Sequence, residues 1–434
     1  MAQVEQLVAD APHNTQAWLL LAGLGERTGK VERAATALLR AREFTDRRTA
    51  RSYTLRAATL YRERLEQPSE AARLLGEALT EDAADLDSTL ALHAITGDVS
   101  VLERFGNAVL GRDLVQPQGV VVLRELAQVA VLAANGEREW MALSALVAMG
   151  HASAGERARV EALQTQRLLR PLPQSTLTAS DLATLRASEL VGEYRELIGA
   201  VFENADAIDQ LTASRYAVGK SERIAGRDAV EHRRMAEAMT RSVGIALGDL
   251  YLGGDDLTRI AALPEDGALH LVFGLGVSAP LSAARRYRLA LQIAGYACRT
   301  LPLLTRSVEQ AERLLLAALV ASEVALPEAL QREPLMSLPR TLAKVLPRRT
   351  RKLLPELYSA LPDAGLALRS QITLALHETR VLALLLAPVL PAAVEELVGA
   401  QAQTEHTAQA SQALVRAWLS PAFQNLREKL ELTS

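Results

Sequence analysis

The pattern of apolar and polar residues changes twice along the chain. Up to about residue 168, apolar positions recur at helical spacing in runs separated by short polar turns, which predicts a series of helical hairpins. Short apolar stretches at 248–254, 259–265 and 267–274 instead predict strands. Helical spacing then resumes to the end of the chain. The predicted fold class is mainly α, a helical solenoid followed by an α-helical domain with a small antiparallel β-meander.

A proline-rich segment separates the two halves. In RLLRPLPQSTLTASDLATL (residues 167–185), Pro171 and Pro173 stop the preceding helix, and a polar Ser/Thr stretch follows. A composition shift of this kind is typical of a linker. We therefore predict a helical repeat domain at 1–168, a linker at 169–180 and a second domain at 181–434.

The first domain carries a recognisable repeat pattern. In NTQAWLLLAGLGERTGKVERAATALLRAREFTD (residues 14–46), Trp18, Leu21 and Ala22 give a large-large-small pattern on the first helix, and Gly29 lies at the turn. Small residues recur on the second helix, where two helices must approach closely. This unit resembles a tetratricopeptide repeat. A looser unit and two further hairpins follow, the hairpins turning at 97–98 and 135–136.

The resemblance implies a solenoid with a concave face. Such a face typically binds a protein segment, although a rigid spacer or an intramolecular dock has the same helices. Leu19, Gly23 and Glu26 fall on the first unit's groove side and are the candidate partner-binding residues there. Related domains that bind a C-terminal carboxylate use Lys and Asn at groove positions, where this chain has Leu19 and Gly23.

Composition removes several classes of function. The formal net charge of −3 over 434 residues gives no global field for nucleic acid or an acidic membrane. Cys298 is the only cysteine, so an intramolecular disulfide and a cysteine-based zinc site are both excluded. The first residues, MAQVEQLVADAPHNTQ, lack a basic region followed by an apolar core, and the most apolar run, 381–394, contains two prolines and is too short to span a bilayer. We expect a cytoplasmic protein without a membrane span.

The stretch HLVFGLGVSAP (residues 270–280) has the outline of a dinucleotide-binding turn. Such a turn needs a parallel βαβ unit and an acidic residue about 20 positions further on. Here the strand comes from a predicted hairpin, so its neighbour is expected to be antiparallel, and no acid follows at that distance. The two glycines are therefore interpreted as a tight exit from the strand, and no cofactor is predicted.

The order of helix, strands, a Leu-Ser pair at 281–282 and an amphipathic helix resembles another family. It is similar to zinc metallopeptidases of the heat-shock and prenyl-protein-processing type, whose helix carries H-E-x-x-H. Matching the Leu-Ser pair places Gln292 and Tyr296 at the two histidines and Ile293 at the glutamate. Ala375 falls at the third metal ligand. The resemblance thus implies a pseudoenzyme that has lost its metal ligands and catalytic base.

A second stretch begins like the same metal motif. HETRV (residues 377–381) has Val381 where a second histidine would be needed, so one turn of helix offers a single imidazole. We interpret the His377–Glu378 pair as structural, with a metal ligand as the alternative.

Positive charge is concentrated in one segment, LPRTLAKVLPRRTRKLLPEL (residues 338–357). Its cations are Arg340, Lys344, Arg348, Arg349, Arg351 and Lys352. No aromatic residue is interleaved to stack on bases, as single-strand binders require. The segment is either a solvated or internally paired surface, a docking site for an anionic protein, or a site for nucleic acid or lipid.

Together these features predict a non-catalytic protein–protein interaction scaffold. Its partners would be proteins, and no nucleic acid is expected. The alternatives are a divergent zinc metallopeptidase and an anionic-partner protein that binds nucleic acid or lipid through 340–352. Arg348, Arg349, Arg351 and Lys352 form the second candidate docking site after the solenoid.

Overall fold

The computed structural model describes residues 2–110, 112–168, 170, 172–187, 189–224, 230–330, 335, 337–400 and 405–430. The chain divides into two compact units, Met1–Leu143 and Ser144–Ser434. The linker predicted at 169–180 therefore lies within the second unit, and its residues 169 and 171 are outside the described residues.

Helices build the whole of the first unit that the structure describes. They are α1 (Ala2–Asp10), α2 (Thr15–Arg27), α3 (Val31–Arg42), α4 (Arg47–Glu63), α5 (Pro68–Glu81), α6 (Leu86–Thr96), α7 (Val99–Leu110) and α8 (Gly119–Leu132). Each helix packs on its neighbours in sequence, from α1 on α2 to α7 on α8. The next helix, α9 (Gly136–Ala148), contains the point at which the two units divide. The predicted succession of helical hairpins is confirmed.

Small side chains allow the closest of these helix pairs to form. A Cβ on Gly25 of α2 would lie 3.0 Å from the Cβ of Ala34 on α3. Ala22, Ala34 and Leu38 are buried together in the core of this pair. Gly29 lies in the turn between the two helices, as its position in the repeat pattern predicts.

The second unit is also mainly helical. After α9 its helices are α10 (Ala154–Leu168), α11 (Ala179–Thr184), α12 (Gly192–Phe202), α13 (Ala205–Asp209), α14 (Val230–Ser242), α15 (Ala283–Ala297), α16 (Val308–Ala321), α17 (Leu338–Val345), α18 (Arg348–Ser359), α19 (Leu368–Leu386), α20 (Leu390–Ala400), α21 (Glu405–Leu419) and α22 (Pro421–Lys429). Short 3-10 helices lie at Ala213–Tyr216, Leu301–Leu303 and Glu328–Leu330. Apolar faces of α12, α16 and α19 form a shared core. None of the described helices combines the length and the apolar character needed to cross a membrane.

The predicted mainly α fold with a small β element is confirmed, but its three strands form a mixed sheet and not the expected antiparallel meander. The strands are β1 (Leu247–Leu252), β2 (Ile260–Glu265) and β3 (Ala268–Phe273), and their order is β1-β3-β2. The predicted hairpin is present, because β2 pairs antiparallel with β3. However, β1 pairs with β3 in parallel. The central position of β3 follows from its continuous apolar run, since Leu271, Val272 and Phe273 are all buried.

The hairpin turn is set by two residues. Asp266 and Gly267 both have positive φ, at 50° and 75°. Positive φ at both central positions is the backbone that a two-residue turn between twisted strands requires, and Asp-Gly adopts it readily. Strand β2 lies at one edge of the sheet, and α15 packs against it. Helix α15 also packs against α19, so these two helices and β2 position the candidate site.

Candidate functional site

The residues placed on the metallopeptidase motif lie on α15 and serve the fold. The Gln292 Oε1 atom accepts a hydrogen bond of 3.0 Å from the backbone N–H of Ala262 on β2. Ile293 is completely buried. Tyr296, one helical turn beyond Gln292, lines a cavity of about 290 Å³ together with Pro264. This face of α15 therefore contacts β2 and supports the sheet.

The fourth motif position lies in a different cavity. Ala375 of α19 is buried and lines a cavity of about 260 Å³ together with Cys298 and Thr300. Desolvation raises the pKa of the Cys298 thiol to about 12, which keeps it protonated and unreactive at neutral pH. Within the described ranges, no three His, Cys, Asp or Glu side chains are grouped so that they could hold a metal ion.

Glu378 of the HETRV stretch links α19 to α12 and to the segment at residue 187. Its Oε1 atom accepts hydrogen bonds from the backbone N–H of Ala187 at 2.8 Å and from Arg195 Nη2 on α12 at 2.7 Å. Burial and the neighbouring Arg380 lower the pKa of His377 to about 4, although Glu189 opposes this. At neutral pH His377 is therefore uncharged and Glu378 accepts from two donors within the fold, which supports the interpretation of this pair as structural.

The space beside the glycines of the dinucleotide-like stretch is occupied by another part of the chain, the loop that follows β1. A Cβ on Gly274 would lie 2.2 Å from the carbonyl oxygen of Asp256. The N–H of Gly276 donates to the carbonyl of Leu257 at 2.8 Å. The loop after β1 therefore packs where a phosphate would have to approach. One premise of the sequence argument is nevertheless wrong, because β3 does have a parallel neighbour.

The basic segment forms an exposed surface on α17 and α18. Its apolar side is anchored in the core by Leu342, Leu346 and Leu354. Five cations on the other side are exposed, and we call them the cationic face: Arg340, Lys344, Arg348, Arg349 and Lys352. None of the five makes a hydrogen bond or an ion pair with any residue that the structure describes.

Arg351 differs from the other cations of this segment. It is half-buried, and its Nε donates to the carbonyl of Leu346 at 3.3 Å. Of the four residues predicted as a docking site, Arg348, Arg349 and Lys352 are therefore exposed together, whereas Arg351 supports the turn between the two helices.

The predicted groove residues lie on α2 of the first unit. Leu19 and Gly23 are half-buried, and a Cβ on Gly23 would have no atom within 4 Å. Leu20, beside them in sequence, is 52% exposed. Glu26 forms an ion pair with Arg56 of α4 at 2.7 Å, so its charge is engaged within the solenoid.

A cavity of about 800 Å³ opens beside β2, and sequence reasoning missed it. Gln292 and residues 260–262 of β2 contribute to its wall. Four arginines also line it, namely Arg215, Arg259, Arg306 and Arg313. They are spread over about a hundred positions of sequence, so no local pattern in the chain could have grouped them.

No protein-family model matches the chain, and no curated protein matches it.

Proposed function

We propose that the protein is a non-catalytic interaction scaffold whose cationic face binds an acidic surface on a partner protein. The observation that carries this proposal is the absence of any described partner for the five exposed cations. Several other arginines of the second unit are paired within the fold, as Arg195 is with Glu378 and Arg288 is with Glu396, whereas the cationic face groups five cations, unpaired among the described residues, on two short helices. The cationic face is thus left for an external anion.

The arrangement of these cations is unfavourable for the isolated chain. Arg348 and Arg349 lie in the first turn of α18, where the helix dipole favours negative charge. Arg348 and Lys352 are one turn apart, as are Arg340 and Lys344, and like charges at this spacing cost about 0.2–0.5 kcal/mol per pair. Bound carboxylates would relieve both effects, which supports a binding role.

A protein partner fits this face better than nucleic acid or lipid. No aromatic residue in 338–357 is available to stack on bases. Leu342 and Leu354 are buried in the core, and Leu353 is the one large apolar side chain of the two helices that is exposed, so the face has no extended apolar surface to insert into a bilayer.

The test compares the unmodified full chain with two variants of it. Each is purified from its native cells, and the proteins that copurify are identified and quantified by mass spectrometry. The variant Arg348→Glu/Arg349→Glu/Lys352→Glu reverses the charge, whereas Arg348→Lys/Arg349→Lys/Lys352→Arg retains it. We expect a partner that is at least tenfold depleted in the reversed variant and retained in the matched control. Partners unaffected by reversal would contradict the proposal. Binding of purified chain to duplex DNA or phosphatidylglycerol vesicles, but to no acidic protein, would favour the nucleic-acid or lipid alternative.

The proposal includes the absence of catalysis by the metallopeptidase route. It is supported by Gln292, Ile293 and Ala375, whose side chains offer no water-activating or thiolate group at the motif positions. Metal analysis of protein purified without chelators is the direct test. Stoichiometric zinc would overturn this part of the proposal and favour the divergent protease.

The tetratricopeptide-like solenoid is proposed as a second partner-binding surface. Its test uses Gly23, because the space around that position accepts a larger side chain. We expect Gly23→Arg to displace a partner bound to this surface, while Gly136→Ala, at another position where a Cβ meets no atom, serves as the control. An unchanged set of partners would remove the solenoid face from the proposal.

A further inference from the structure

The large cavity beside β2 has the size and position of a binding pocket. Its volume of about 800 Å³ lies within the range of about 300–1,000 Å³ that small-molecule sites occupy. The edge strand β2 forms one wall, and α15, α16 and the 3-10 helix Leu301–Leu303 contribute others. All of these elements belong to the second unit.

The pocket carries an excess of positive charge. Arg215, Arg259, Arg306 and Arg313 line it, and Asp209 is the single acidic residue among its lining residues. That carboxylate is already engaged, because Arg306 Nη1 donates to its Oδ2 at 3.0 Å and Nη2 donates to Oδ1. Outside the lining, Asp255 and Asp256 offset part of the charge of Arg259. The positive excess that is left, in a partly enclosed site, concentrates anions.

Two of the arginines are held in place with donors to spare. Arg215 Nη1 donates to the backbone carbonyl of Asp209, and Arg259 Nη1 pairs with Asp255. The guanidinium of Arg259 also lies 5.1 Å from the centre of the Tyr216 ring. Each guanidinium has five N–H donors, so both retain donors for a ligand. Fixed guanidinium groups bind phosphate or carboxylate with little loss of side-chain freedom.

The rest of the wall is apolar or neutral. Ile260 and Ala261 of β2 lie beside Leu301 and Leu314, and Gln310 adds an amide. Gln292 is less available, because its Oε1 is engaged by Ala262. A ligand must therefore combine anionic groups with an apolar or ring-containing body.

We propose that this pocket binds a small organic anion, with phosphate or carboxylate oxygens on Arg215 and Arg259 and its body against β2. The pocket is separate from the cationic face, so this inference stands or falls independently of the proposed scaffold function.

Isothermal titration of the full chain tests the inference. The probes are AMP, which places a phosphate on a ring system, and phthalate, which places carboxylates on a ring. We expect 1:1 binding of at least one probe. Arg215→Ala and Arg259→Ala should each weaken binding at least tenfold, and Arg259→Lys should weaken it less than Arg259→Ala. Binding of AMP alone assigns a phosphate ester, and binding of phthalate alone assigns a carboxylate.

Two controls keep the outcome unambiguous. Arg348→Glu/Arg349→Glu removes charge from the cationic face and should leave the titration unchanged, since these residues do not line the pocket. Circular dichroism establishes that each variant is folded before titration. The inference is overturned if neither probe binds at millimolar concentration, if folded Arg215→Ala and Arg259→Ala bind as the unmodified chain does, or if binding is lost in the cationic-face variant.

Discussion

The cations of two surfaces of this molecule differ in whether they are paired with carboxylates of the protein. In the first unit, Arg51 of α4 reaches the turn between α5 and α6, where it pairs with Asp82 and, at 3.1 Å, with Asp85. Arg112 joins the same turn through Asp82 at 2.8 Å. Ser88 completes the network by donating to Asp85 at 2.6 Å. The cationic face of the second unit has no such described network.

The difference separates charge that stabilises the fold from charge that is left for a partner. In the first unit, each guanidinium offsets a carboxylate that packing has partly removed from water, as the 3% exposure of the Asp85 side chain illustrates. On α17 and α18, cations repel one another and oppose a helix dipole without compensation. Removing a paired arginine of the first unit should therefore lower the stability of the fold, whereas removing a cation of the cationic face should raise it.

The largest effect is expected at Glu378, whose carboxylate accepts hydrogen bonds from Ala187 and from Arg195 of α12. Glu378→Ala leaves Arg195 and the Ala187 N–H without their acceptor in a site where the glutamate is only 13% exposed. We expect a loss of about 3 kcal/mol in the free energy of unfolding, measured by urea denaturation. Glu378→Gln retains an acceptor and should lose less. Equal, small losses of unfolding free energy in both variants would show that the hydrogen bonds of Glu378 do not stabilise the fold.

A pH-dependent loss of stability is expected from His377, where the fold disfavours charge. Its pKa is about 4 in the folded protein against an ordinary 6.5, because it is buried beside Arg380. Between these values the unfolded chain binds a proton that the folded chain does not, so stability falls as pH decreases from 6.5 to 4. With partial exposure, we expect about 2 kcal/mol over this window. Above pH 6.5 the histidine contributes no slope.

The measurement compares urea unfolding at pH 7.5 and pH 4.5 in the unmodified chain and in His377→Gln. The other titrating groups are common to both, so the difference between the two pH dependences isolates His377. Identical pH dependences would contradict the lowered pKa.

Local features of this fold could be predicted from the sequence. Helical spacing predicts the hairpins of the first unit, and the Asp266-Gly267 pair predicts the tight turn between β2 and β3. Each of these depends on residues that are close in the chain. The basic segment is local for the same reason, since charges four positions apart share a helix face.

Features that depend on distant residues could not be predicted. The apolar run of β3 indicates a central strand, but nothing in the β1 sequence specifies a parallel neighbour. Similarly, Arg215 of the 3-10 helix Ala213–Tyr216 and Arg306, which follows the 3-10 helix Leu301–Leu303, are distant in the chain and line one pocket only because of the fold. The resemblance to metallopeptidases implies that Gln292 stands where a zinc ligand would be, but it does not predict that the Gln292 amide accepts a hydrogen bond from β2.

A moderate loss is expected when the paired network of the first unit is broken. Arg51→Ala leaves the buried Asp85 with Ser88 alone, and we expect a loss of about 1.5 kcal/mol in the free energy of unfolding. Arg112→Ala is the matched control, because Arg112 is 49% exposed and such pairs contribute about 0.5 kcal/mol. If the two variants lose the same amount, burial of Asp85 is not what makes the network stabilising.

The smallest effect has the opposite sign and tests the cationic face directly. Arg349→Glu places a carboxylate in the first turn of α18, where the dipole favours it, and removes a cation from a repulsive cluster. We expect the free energy of unfolding to rise by about 0.5 kcal/mol at low salt, and the gain to shrink at high salt as the charges are screened. Arg349→Lys should leave stability unchanged. A loss of stability in Arg349→Glu would mean that Arg349 contributes to the fold, and the distinction between the two surfaces would not hold.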